Sequence, residues 1–159
     1  MPIIRHFTST GFVVHDGHVL LHWHPKVKAW LPPGGHIEEN EDPVQAVLRE
    51  VQEETGLEVE VVPTGSSLEL DYPAEVYPPY TIMVEDIHDP IQGFHRHIDM
   101  IYFCRPVGPL GRLNEGWLWA SKRDLAEGVD LAGDGPEAVP PPSDVRLLAQ
   151  KAFELAGPD

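Results

Sequence analysis

Val44, Val47, Leu48, Val51 and Thr55 recur at i, i+3, i+4, i+7 and i+11, which marks one face of a helix over residues 43–55. Asp42 suits its N-cap, Pro43 its first position, and Gln45 completes a capping-box pattern. Gly56 is the residue type that ends a helix in the left-handed conformation. Residues 57–62 (LEVEVV) alternate as a strand, with Glu58 and Glu60 on its solvated face. Residues 7–14 (FTSTGFVV) and 18–24 (HVLLHWH) read as strands joined through the hairpin signal Asp16-Gly17. Residues 97–104 (HIDMIYFC) and 116–120 (GWLWA) read as two more. Ser121 is placed to cap a short helix through Ala126. A terminal helix over 143–156 carries Val145, Leu148, Ala149, Ala152 and Leu155 on one side.

The segments between are less periodic. Residues 25–30 read as a short loop, and 31–43 as a structured one rich in Pro, Gly and acid. Residues 66–95, with Pro73, Pro78, Pro79 and Pro90, read as a strand pair carrying a long loop, and 128–142 as irregular. The order of elements predicts an α+β fold, a sheet with helices packed on it, in a single domain over residues 1–159.

Charge narrows the function classes. Eleven Lys and Arg face 26 Asp and Glu, a net charge of −15. A surface that tracks nucleic-acid phosphates or anionic lipid needs the opposite balance. Neither a nucleic-acid duplex nor a membrane is therefore an expected partner, and no apolar run approaches the roughly 20 residues of a membrane helix. The N-terminus lacks the apolar stretch of a secretory signal, and Cys104, the only cysteine, reads as a small buried hydrophobe. A reduced, cytoplasmic location is the expectation. An acidic protein still binds anions when a divalent cation bridges the two.

The first helix supplies such a site. At about 100° per residue, Glu50, Glu53 and Glu54 share one sector, turned away from the Val/Leu face. Glu50 and Glu54 are like charges at i, i+4, and Glu53 and Glu54 lie in the last turn, where the helix dipole disfavours anions. No Lys or Arg follows at a balancing position. A hard cation, Mg²⁺ or Mn²⁺, would account for an acidic cluster at this end of a helix.

Residues 35–57 (GHIEENEDPVQAVLREVQEETGL) resemble the Nudix box. Gly35, Glu41, Arg49, Glu50, Val51, Glu53, Glu54, Gly56 and Leu57 match its fixed positions with no departure. The resemblance implies an α/β/α sandwich with a mixed central sheet over roughly residues 3–156. It also implies a metal-dependent hydrolase of a nucleoside diphosphate linked to another moiety. Carried over by position, Glu50 and Glu54 are the principal metal ligands, Glu53 a further one, and the Gly35 carbonyl joins them. Arg49 and Glu41 pair or orient the helix. The catalytic base is a box glutamate or a loop carboxylate: Glu115, just before the 116–120 strand, or less favourably Glu85, Asp86 or Asp89. Other readings are a hydrolase of a non-nucleotide diphosphate and a nucleotide-binding regulatory module without catalysis. A homodimer is compatible with the family.

The remaining candidates concern substrate. His22 and His24 share one strand face, as do His95 and His97, followed by Asp99. Meeting across the sheet, the pairs would touch phosphate or a second metal, with activity falling above roughly pH 7 if they act protonated. Solvated strand faces would show the same alternation. His36, inside the box, is either exposed or against substrate. Tyr72, Tyr77, Tyr80, Phe94 and Trp117 are candidates to stack on a base, Tyr77 and Tyr80 being in the Pro/Tyr-rich 72–80 segment that suits specificity. Trp30 and Trp119 are assigned to packing.

Overall fold

The computed structural model describes residues 2–131 and 139–157. Its axis is a parallel pair, unusual among otherwise antiparallel strands. β1 (Arg5–His15) runs alongside β7 (Gly93–Pro106), in register from Arg5 opposite Arg96 to Val13 opposite Cys104. β7 also pairs antiparallel with β6 (Thr81–Asp89) along its first half, and with β5 (Val59–Val61) at its end. β1 turns at Asp16-Gly17 into β2 (His18–His24), which pairs with β3 (Ala29–Leu31) and with β8 (Trp117–Ser121). β4 (Gly34–His36) lies antiparallel to Thr8–Thr10 of β1. The eight strands form one mixed sheet.

The pleat sends alternate side chains to two cores. Phe12, Val14, Val19, Leu21, Ile101 and Phe103 pack with α3 (Ser143–Ala156) on one face. Val13, Leu20, Tyr102 and Cys104 pack with Val47 and Val51 of α1 (Pro43–Thr55) on the other. Each fully buried Val or Leu contributes about 1.5–3 kcal/mol, so these two faces hold the helices to the sheet. α2 (Lys122–Glu127) sits beside α3, and Ser121 Oγ accepts the Asp124 N–H at 3.1 Å. The result is the expected α/β/α sandwich.

α1 has its predicted bounds and ends. Asp42 accepts the Gln45 N–H at 2.8 Å, the Gln45 side chain accepts the Asp42 N–H at 2.9 Å, and Gly56 has φ 82°. Other boundaries move. β1 and β7 begin at Arg5 and Gly93 rather than residues 7 and 97, because Arg5 pairs with Arg96 of β7 and Gly93 with Asp89 of β6. The predicted 57–62 strand shortens to Val59–Val61. The loops at 25–30 and 31–43 contain β3 and β4, three residues each. Of the predicted pair within 66–95, β6 is formed, and its partner is β7. Residues 63–79 run as an irregular, largely exposed loop. On α3, Phe153 and Ala156 are buried and Leu155 is exposed, a rotation of the predicted apolar face. Within the predicted irregular stretch 128–142, residues 132–138 lie outside the described residues.

Candidate active site

The carboxylates of α1 are set by three local devices. The first is a glycine. β4 brings Gly35 against Glu50, and a Cβ on Gly35 would collide with the Glu50 carboxylate. The second is a backbone donor: Gly34 N–H donates to Glu54 Oε1 at 3.2 Å. The third is Asn114, whose Nδ2 donates to the Glu54 carbonyl at 2.9 Å, while its N–H donates to the Thr55 carbonyl at 2.9 Å. These bonds satisfy carbonyls that the helix end leaves open. They also dock the loop carrying Glu115 on the C-terminal end of α1. Glu115 itself is exposed.

Arg49 ties the acids together. Its guanidinium donates to both oxygens of Glu41, at 2.6 and 3.0 Å, to Glu50 Oε1 at 3.0 Å, to Glu53 Oε2 at 3.3 Å and to the His36 carbonyl at 3.0 Å. Glu41, hydrogen-bonded to Arg49, is held below the usual carboxylate range, and Arg49 is pushed up by the same contact. Among the described residues no cation pairs with Glu54. Burial, then the neighbouring Glu50 and Glu53 charges, push its pKa up to about 7 against the pull of the Gly34 N–H. Glu50, Glu53 and Glu54 thus present oxygen donors, the type that hard divalent cations take, with more negative charge than Arg49 neutralises.

Gly35→Ala tests the glycine directly. Displacing Glu50 by a methyl group is expected to lower kcat/KM about 100-fold, the cost of roughly 1 Å of misplacement, with the far-UV circular dichroism unchanged. Steady-state kinetics of the folded variant decide it.

The histidine pairs do not meet as expected. His22 and His24 alternate with Leu21 and Trp23, which join the α3-side core, so they point to the α1 side. There His22 stacks on Trp117, with ring centroids 4.2 Å apart. His95 and His97 lie on the α3 side with Asp99 and Ile101, and their ring neighbours are His6 and His36. Nor do His22 and His97 act as imidazolium near neutrality. Burial, then neighbouring histidines, hold His22 and His97 down to about 4. The same causes lower His36, and burial followed by Lys26 lowers His24. At His22 and His97 this disfavours a protonated grip on phosphate near pH 7.

The aromatic candidates divide similarly. Tyr80 is stacked on Phe103 at 4.6 Å and packs against the α3-side core, so it is a packing residue rather than an open platform. Tyr77 exposes its ring, while its carbonyl accepts the Tyr102 hydroxyl at 2.9 Å. Tyr72 is exposed, and Phe94 packs beside His88 and under Arg96. Trp30 and Trp119 pack in the two cores, as assigned. Cys104 is fully buried, which pushes its thiol up to about 12.

Asp86 is held by Arg96 at 2.8 Å, and Asp89 accepts the Ile91 and Gln92 N–H groups of a turn, so both have structural partners instead of a catalytic setting. Glu85 differs. It lies opposite His97, on the face of the buried Asp99, whose carboxylate accepts from Thr8 and Thr10 at 2.9 Å. Burial, then the Asp99 and Asp144 charges, push Glu85 up to about 7. Its native pKa lies above the unfolded value, so its contribution to stability is full below about pH 4.5 and is lost as pH rises through about 7. Glu85→Gln is expected to melt with the wild type at pH 4 and about 2–4 °C higher at pH 8, the scale of ~1 kcal/mol for a domain of this size. Equal melting points at pH 8 would remove the buried-charge account.

Sequence reasoning missed Gly34, Asn114, His6 and the Thr8 and Thr10 partners of Asp99. Only Gly34, beside the box, carried a local signal; the others are placed by long-range pairing.

Known proteins share this fold. The NUDIX domain family model matches residues 5–131. The crystal structure of a hydrolase of the NUDIX family from Clostridium perfringens superposes with a TM-score of 0.76 at 31% identity, covering 96% of this chain and 98% of that one. The chain is also similar, over 51 residues at 43% identity, to an asymmetrical bis(5'-nucleosyl)-tetraphosphatase of Rattus norvegicus. It is 46% identical over 44 residues to an 8-oxo-dGTP diphosphatase of Proteus vulgaris. Those two matches cover 31% and 28% of this chain, and 35% and 39% of the relatives. The match across 127 consecutive residues, and the full-length structural similarity, show that the chain belongs to the Nudix hydrolase family.

Proposed function

We propose that the protein is a divalent-metal-dependent pyrophosphohydrolase that cleaves a diphosphate bond in a nucleoside diphosphate linked to another moiety. The observation that carries this is the excess of carboxylate at Glu50, Glu53 and Glu54, held against the backbone of Gly34 and Gly35 with Arg49 as the shared cation. Such a cluster costs free energy through like-charge repulsion and burial unless a cation completes it. The donor set therefore fits Mg²⁺ or Mn²⁺, held by Glu50, Glu54 and Glu53 with the Gly35 carbonyl. When bound, the ion offsets the charge of the diphosphate, polarises phosphorus and acidifies water.

The chain's own groups do the rest. Arg49 fixes Glu50 and Glu53 and, through the His36 carbonyl, the strand that carries Gly35. A box glutamate whose oxygen the ion does not engage is suited to accept a proton from the attacking water. Glu115 is the alternative base, on a loop docked at the same helix end. Substrate beyond the phosphates is assigned to exposed Tyr77 and to His22 and His24 on the α1 side of the sheet, whereas the candidates His36 and His97 lie on the opposite face. A reduced, cytoplasmic setting and a homodimer belong to the same reading.

The test is phosphate release from nucleoside triphosphates, dinucleoside polyphosphates, nucleotide sugars and ADP-ribose, with and without Mg²⁺. Turnover of at least one substrate only with metal is expected. Release confined to sugar, inositol or isoprenoid diphosphates would shift the substrate class. Binding with no release under any condition would replace the enzyme by a regulatory module.

A further inference from the structure

Four imidazoles converge at the end of the parallel pair, on the sheet face opposite α1. The ligand nitrogens of His6, His95 and His97 all lie within 4.8 Å of one another. His95 Nε2 and His97 Nε2 are 3.2 Å apart, and His36 Nε2 and His6 Nδ1 are 3.3 Å apart. The parallel register sets His6 directly opposite His97, and β4 sets His36 opposite Thr8. Three strands therefore deliver the four rings.

We propose that His6, His95 and His97, with His36 as the fourth donor, form a nitrogen-only site for a Zn²⁺-class transition metal, separate from the carboxylates of α1.

Zn–N bonds near 2.05 Å impose tetrahedral N···N edges of about 3.4 Å. Two edges of the cluster are already near that length, at 3.2 and 3.3 Å. The tautomer of His95 is set in the way metal-bound histidines require. Its Nδ1 lies 3.1 Å from the Gly93 carbonyl, so Nδ1–H donates there and the Nε2 lone pair faces the cluster. His95 is buried at 4% exposure, which removes water as the partner for that lone pair. Without an ion the rings satisfy one another only pairwise. Donor type separates the two sites: imidazole nitrogen suits Zn²⁺, Ni²⁺ or Cu²⁺, whereas carboxylate and carbonyl oxygen suit Mg²⁺ and Mn²⁺.

The site has a structural consequence. His36 follows Gly35, and its carbonyl accepts from Arg49. An ion on the four rings would staple β4 to β1 and β7, and so fix the strand against which Glu50 and Glu54 rest. Binding of the ion does not depend on the reaction proposed above.

The experiment uses chelator-treated full-length protein carrying Glu50→Gln and Glu54→Gln, which disables the carboxylate site. Calorimetric titration with Zn²⁺ alone is expected to show one equivalent bound and a raised Tm. Co²⁺ in its place should give the strong visible absorption of a tetrahedral nitrogen set. His6→Asn and His97→Asn, each checked for folding by circular dichroism, should each weaken Zn²⁺ binding by about 100-fold, a quarter share of a four-ligand zinc site. Failure to saturate at one equivalent, or a Co²⁺ spectrum typical of octahedral oxygen ligation, would overturn the site without any His variant. So would affinity within threefold of the parent in folded His6→Asn and His97→Asn.

Discussion

Glu54→Gln is expected to lower kcat by about 1,000-fold, because it removes transition-state charge stabilisation worth several kcal/mol at about 1.4 kcal/mol per decade. The protein should stay folded. Gln keeps the oxygen that accepts the Gly34 N–H, and it removes the charge that burial and Glu50 oppose. Loss of turnover with a metal-free Tm at or above that of the wild type is therefore the diagnostic pair. Glu53→Gln and Glu50→Gln should lose turnover alike, though by different routes. Glu53 is open to solvent, with 60% of its side chain exposed and Arg49 as its side-chain partner among the described residues. Glu50, at 17%, is packed on Gly35 and held by Arg49. Near-wild-type kcat in the Glu53 or Glu54 variant would break the assignment of the site, whatever the substrate.

The pH dependence of metal uptake supports the same argument. A carboxylate with a pKa of about 7 must shed its proton before it binds a cation. Apparent Mg²⁺ affinity should rise as pH is raised towards 7 and level off above it. In Glu54→Gln that slope should vanish.

The sequence made α1 legible because all of its determinants are local. Cap, proline, apolar stripe and terminal glycine lie within 15 residues, and each acts on the helix itself. The carboxylate sector follows from the same 3.6-residue geometry, which alone places Glu50, Glu53 and Glu54 together. What the sequence hid was pairing. His6 lies just before the predicted first strand, and only a parallel register spanning 91 positions sets it opposite His97. His22 and His97 both sit on strand faces, but alternation alone does not say which face of the sheet each strand turns outward. That depends on whether Leu21 and Ile101 join the same core, which they do. β3 and β4 escaped because three residues give no period to read. Asn114 escaped because its role depends on a loop folding back 60 positions onto a helix end.

Arg49→Ala should be the most destabilising single change at the site. Its guanidinium is the common donor for Glu41, Glu50, Glu53 and the His36 carbonyl. Removing it leaves Glu41, only 10% exposed, and Glu50 as unpaired neighbouring carboxylates. Breaking a fully buried pair costs about 3–5 kcal/mol; Arg49 is 25% exposed, and solvent screening reduces the expected loss to about 2–3 kcal/mol. The loss must depend on pH in a fixed direction. The native pKa of Glu41 lies below its unfolded value, so its ion pair stabilises above about pH 4.5, and that contribution fades as pH falls through the native pKa. Denaturant melts should therefore show a large gap between variant and wild type at pH 7 and a smaller one below pH 4. Arg49→Lys separates charge from geometry. A single ammonium cannot reproduce the fork that spans both Glu41 oxygens while also reaching Glu50 and the His36 carbonyl. It should recover part of the stability but little of the kcat. If instead Arg49→Lys restores turnover fully, the guanidinium acts only as a charge, and the positioning of Glu50 must come from Gly35 alone.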